Sequence, residues 1–122
     1  EVLHMKKEMD IRLYKYEIIK GKEETAEEWL NFLNANRKAG EALLKDEHAY
    51  LEAYFKTMEG GNLYVYMFFA CEDVNFSNDK AINQGSGLDE QHFAYMRECI
   101  DLSRGDIMDC LLYLDNMEDA VR

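Results

Sequence analysis

Between Asn62 and Cys71 apolar side chains fall on both sides of an extended chain: Leu63, Val65, Met67 and Phe69 share one face, Tyr64, Tyr66, Phe68 and Ala70 the other. A strand of a small antiparallel sheet ordinarily keeps one polar face. This one needs cover on two sides. IRLYKYEII (11–19) is rich in β-branched and aromatic residues and is closed by Gly21, which predicts another strand. The period then changes: Ala26, Trp29, Leu30, Leu33, Gly40, Leu43 and Leu44 recur at spacings of three and four. That predicts one long helix, opened by a capping box of Thr25 and Glu28 and ending near Asp46. HAYLEAYFKTME (48–59) predicts a second strand, and Gly60-Gly61 a tight hairpin into the run described first. Residues 72–87, EDVNFSNDKAINQGSG, read as a long loop with room for one helical turn. A second amphipathic helix runs from Leu88 to about Arg104, carrying Phe93, Met96, Cys99 and Ile100, and DIMDCLLYLDNM (106–117) closes as the last strand.

The order β-α-β-β-α-β is that of a ferredoxin-like α+β fold, a four-stranded antiparallel sheet with two helices on one face. A two-residue turn at Gly60-Gly61 sets Tyr54 opposite Met67, Glu52 opposite Phe69 and Tyr50 opposite Cys71 on one side, with Phe55 opposite Tyr66 and Ala53 opposite Phe68 on the other. Leaving such large side chains wet forgoes roughly 1.5–3 kcal/mol each, and so large a patch marks an interface. The economical cover is a second copy. Two sheets face to face make a dimeric α+β barrel, with a Tyr-rich cavity expected between them.

Composition narrows the function. At 122 residues the chain is one domain. Residues 11–117 are expected to form it, with 1–10 a flexible N-terminus, its first four residues a cloning remnant before Met5, and 118–122 a short tail. The net charge of -11 argues against nucleic acid, which needs a basic patch. No apolar run is long enough to span a membrane. Cys71, Cys99 and Cys110 show no C-x-x-C spacing and sit in apolar contexts, as expected of buried thiols in a reducing cytoplasm.

The segments GKEETAEEWLNFLNANR, LKDEHAYLEAYF, LYVYMFF and LDEQHFAYMRECID resemble a family of small, mostly bacterial proteins, the domain of unknown function 6176. The likeness runs from about Tyr14 to Asp101, with Gly21, Trp29, Arg37, Glu52, His92, Tyr95, Glu98 and Cys99 at matching places. It implies a fold similar to the dimeric ferredoxin-like barrels. It implies no activity and no catalytic residues.

Candidate chemistry rests on residue type and place. Glu52, flanked on its own face by Tyr50 and Tyr54, would have its pKa raised toward a general-base value if buried, and lowered if Arg37 or Lys15 opposed it. The plainer reading has it hydrated at an edge or paired with Lys56. His92, directly after the long loop, could take a proton, although a lone histidine is more often structural. His4, His48 and His92 show no H-x-x-x-H spacing, so no metal or cofactor is expected. Arg37, Tyr50, Tyr54 and Tyr95 are candidate ligand-binding residues, Arg37 more commonly a snorkelling cation and the tyrosines core or interface groups. Trp29 is expected to anchor the core. The resulting expectation is a small cytoplasmic homodimer that binds a small molecule between its sheets, as a binding protein or a cofactor-independent enzyme using Glu52 and His92. The alternative is a non-enzymatic dimeric interaction or regulatory module. A haem-binding or haem-degrading barrel is a third reading, but it lacks the Asn, Trp and His arrangement it would need.

Overall fold

Four antiparallel strands, β1 (Asp10–Ile18), β2 (Ala49–Glu59), β3 (Asn62–Cys71) and β4 (Ile100–Asp109), form one sheet in the order β2-β3-β1-β4. The structure is a computed structural model and describes residues 8–83 and 86–117. The expected tag remnant with His4, and the tail 118–122, lie outside these residues. The sheet order and antiparallel pairing are those of the ferredoxin-like fold predicted from the element order.

The first predicted helix is in fact a pair. The stretch 25–46 divides into α1 (Glu23–Ala35) and α2 (Arg37–Asp46). The break falls at Asn36, with φ -112° and ψ 29°, whose side chain donates to the Phe32 carbonyl at 2.9 Å. Asparagine competes with the helix backbone for its own hydrogen bonds, so an Asn-rich junction ends the first helix. The Thr25 capping box is also corrected: α1 starts two residues earlier, after Lys22, with no side-chain cap.

The segment 72–87, expected as a loop with one helical turn, contains the ten-residue helix α3 (Val74–Asn83). Asp73 caps it, accepting from the N–H groups of Asn75 (2.9 Å) and Phe76 (3.2 Å), while Asp10 of β1 accepts from Val74 N–H at 2.8 Å. The buried Ser77 hydroxyl ties α3 to the Glu47 carbonyl at the end of α2 (2.7 Å). Helix α4 (Gly87–Cys99) opens with a complete capping box, Ser86 accepting from Leu88 N–H and Asp89 from Ser86 N–H. It stops at Cys99, not Arg104, and the last strand begins at once with Ile100 rather than at 106. That strand ends at Asp109, so Cys110, expected to be buried, is exposed.

The hairpin register confirms four of the five predicted pairs: Tyr54 with Met67, Glu52 with Phe69, Phe55 with Tyr66 and Ala53 with Phe68. Cys71 faces Ala49, not Tyr50, because the register shifts between Ala49 and Leu51. Tyr50 is the bulged residue. On the helix-covered face the core gathers around fully buried Trp29, with Ile18, Ala26, Val65, Cys99 and Ile100. A second cluster, Phe69, Cys71 and Val74, lies beneath α2 and α3 with Leu44 and Met67. The opposite face carries no helix and is half apolar, half polar. Ala53, Phe68, Leu13 and Met108 form one cross-strand row beside exposed Leu51 and Phe55. Toward the hairpin, Lys15 pairs with Glu59 at 3.1 Å, Tyr66 donates to Glu59 at 2.7 Å and Tyr64 donates to Glu17 at 2.8 Å.

Candidate functional site

The alternation of β2 and β1 puts Glu52, Tyr54, Tyr14 and Tyr16 on the face beneath the helices. Which face Glu52 occupies is open from the sequence; Trp29 meets Tyr54 edge-on at 5.8 Å, so the face is the one α1 and α4 cover and not one free to meet a partner sheet. Between the two core clusters the packing opens into a cavity of about 310 Å³. The sheet supplies its floor through Tyr14, Tyr16, Glu52, Met67 and Phe69, and all four helices contribute to its walls. That volume is at the lower end of what small-molecule sites use.

Four ionisable groups converge there besides the tyrosines. Glu52 accepts a hydrogen bond from Tyr54 Oη at 3.1 Å, and burial raises the pKa of its carboxyl. Glu47 follows Leu43 and Leu44 on the inner side of α2, and the turn that His48 makes in the left-handed region (φ 56°) carries the chain from there into β2. Burial, then the charges of Asp89, Glu52 and Asp46, pushes Glu47 up to about 7. Asp89, 8 % exposed, borders the cavity while capping α4. His92 is lowered to about 4 by burial and is therefore a neutral ring. Trp29 Nε1 donates to its Nδ1 at 2.9 Å, which leaves the proton on Nε2 and makes His92 a hydrogen-bond donor toward anything else it meets. Tyr14 and Tyr16 stack with centroids 6.0 Å apart, both with raised pKa through burial.

The other predicted residues are placed differently. Arg37 is exposed and pairs with Glu41 one turn on (3.6 Å); it does not oppose Glu52. With Tyr50, Tyr54 and Glu52 it lines a second, open groove of about 1010 Å³ outside α1 and α2, so Glu52 borders both spaces. Tyr95 packs on Phe32 between α1 and α4 and does not reach the cavity. Lys15 lies on the helix-free face. Sequence reasoning found Glu52 and His92 and missed Glu47, Asp89, Tyr14 and Tyr16. Two signals were present: Glu47 continues the Leu43-Leu44 stripe by three and four residues, and S-x-x-D at Ser86–Asp89 marks a helix start. Among the described residues no group of three His, Cys, Asp or Glu side chains could hold a metal ion, and no helix is long and apolar enough to cross a membrane.

No curated protein matches the chain. Among solved structures the fold is similar to the crystal structure of a conserved protein from Methanosarcina mazei Go1, with a TM-score of 0.53 over 81 % of this chain and 90 % of that one, at 22 % identity. That likeness concerns the fold alone. Residues 9–119 match the Family of unknown function (DUF6176), and the chain belongs to that family.

Proposed function

We propose that the protein binds a small organic molecule in the cavity between its sheet and its helices, with Glu52 as the group that exchanges a proton with the bound molecule. The observation that carries this reading is the convergence of Glu52, Glu47, Asp89 and His92 on one apolar and tyrosine-walled space. A buried carboxyl with a raised pKa beside tyrosine hydroxyls is a general acid–base arrangement, and such groups cluster at functional sites. His92 supports the bound molecule as a donor and not as a base, since its ring is neutral through the physiological range. The haem alternative draws no support, because propionates would meet three carboxylates in this space.

The homodimer belongs to the same proposal, through the helix-free face with its Leu13, Ala53, Phe68, Met108 row. The alternative, an interaction module without a ligand, is favoured by the exposed leucines 111, 112 and 114 beyond β4. Ligand-observed NMR with a fragment library decides between the two. Fragments should bind the wild-type chain and be lost in Ala81→Trp, which fills the cavity from α3. Hits that survive that substitution, or the lack of any hit, would count for the interaction module.

A further inference from the structure

Glu47 is 9 % exposed, lines the cavity, and its carboxylate has no hydrogen-bond or ion-pair partner among the described residues. Buried charged groups are ordinarily paired. Two more carboxylates face the same space, Glu52 from β2 and Asp89 from α4, and both add to the electrostatic load on Glu47. Among the described residues no lysine or arginine lines the cavity. Arg12 shares the Glu52 face of the sheet but does not border the space. Glu52 and Asp89 each accept one hydrogen bond from within the protein, from Tyr54 and from Ser86, which leaves most of their acceptor capacity open. The three carboxylates thus share a space whose donors, the tyrosine hydroxyls and His92, are all neutral, with no cationic side chain to balance their charge.

We infer that the ligand is a small organic cation, an amine or amidine whose charged head sits among Glu47, Glu52 and Asp89 and whose body lies against Tyr14, Tyr16 and Phe69. This rests on the proposed binding cavity and names the chemical class that fits it. A bare metal ion does not fit, since the three carboxylates are not gathered tightly enough to share one. An ammonium or amidinium offers several donors spread over a larger group, which matches separated acceptors. The aromatic floor suits the remainder of such a molecule and favours the cation through its ring faces. The chain's net charge of -11 draws cations toward it from solution.

The test uses charge-matched sets on the full chain: benzylamine, benzyl alcohol and benzoate, and likewise cyclohexylmethylamine, its alcohol and its acid, titrated calorimetrically at pH 7. The amine of a set should bind at least tenfold more tightly than its alcohol, with benzoate weakest. Glu47→Gln should erase most of that preference while sparing the alcohol. If that variant does not fold, the wild-type protein still answers. An ammonium ion arriving beside Glu47 drives off the proton it carries near pH 7, so titrations in two buffers of different ionisation heat should show about half a proton released per amine and none per alcohol. Alcohols or acids that bind as tightly as amines overturn the cation inference and leave the cavity reading standing. Silence from every compound, together with an empty fragment screen, overturns both.

Discussion

A carboxyl held near pH 7 without a partner leaves a mark on stability. Glu47 titrates at about 7 when folded against 4.5 for the free side chain, so between those values the folded chain holds a proton that the unfolded chain has lost. The contribution is therefore fully present below about pH 4.5 and is lost as pH rises through 7. After allowance for solvent screening the difference is on the order of 2 kcal/mol. Unfolding by urea at pH 5 and pH 8 should show the wild-type chain weaker at the higher pH by about that amount, with the gap narrowed in Glu47→Gln. Equal narrowing in Glu90→Gln, an exposed acid on α4, would assign the effect to overall charge. Glu52 was legible in the sequence because its neighbours Tyr50 and Tyr54 announce an apolar face. Glu47 was not, because a glutamate at the end of a helix is ordinarily solvated. Only the fold over it, α3 above and β2 beside, removes the water.

Among elements, strands were read more closely than helices, for a physical reason. The period of two in 49–59 and 62–71 fixes every side chain to a face, and Gly60-Gly61, both at positive φ, fixes the register between them. Only the bulge at Tyr50 escaped, since it depends on how the chain leaves α2. Helix α3 escaped because Asn75, Ser77, Asn78, Asp79 and Asn83 are turn formers with little helical preference. What holds it is tertiary: the Asp10 and Asp73 caps and the buried Ser77 bond. Helix α4 is different, since its cap is local. Ser86→Ala removes the acceptor for Leu88 N–H and should cost about 1 kcal/mol in urea unfolding, with Ser86→Asp restoring most of it. If Ser86→Ala were neutral, the start of α4 would be held by its packing alone. Asp89 is expected to couple the two roles, because the carboxylate that closes the cap also borders the cavity.

At the scale of the whole molecule, the helix-free side of the sheet is the surface with most to gain from a partner. Its apolar half includes Phe55 at 59 % and Leu51 at 53 % exposure, while Lys15, Glu59 and Tyr66 form a polar rim at the hairpin end. Sedimentation at micromolar concentration should give about twice the chain mass, and Phe68→Lys in the centre of the row should give the monomer. A monomeric wild-type chain would remove the barrel from consideration and leave the cavity untouched. The sequence made the need for cover on both sides of β3 plain. It could not say which side held the chemistry, because alternation is symmetric until the helices choose a face. That choice separates two things expected to coincide. The cavity and the face proposed for the dimer lie on opposite sides of one sheet, so in the proposed pair each copy would carry a whole site and share none of it. Occupancy should accordingly be one ligand per chain and follow a simple hyperbola, and affinity should be the same above and below the concentration at which the pair dissociates. A sigmoidal isotherm would mean that the alternating side chains of β3, Met67 and Phe69 on one side and Phe68 on the other, carry a signal through the sheet.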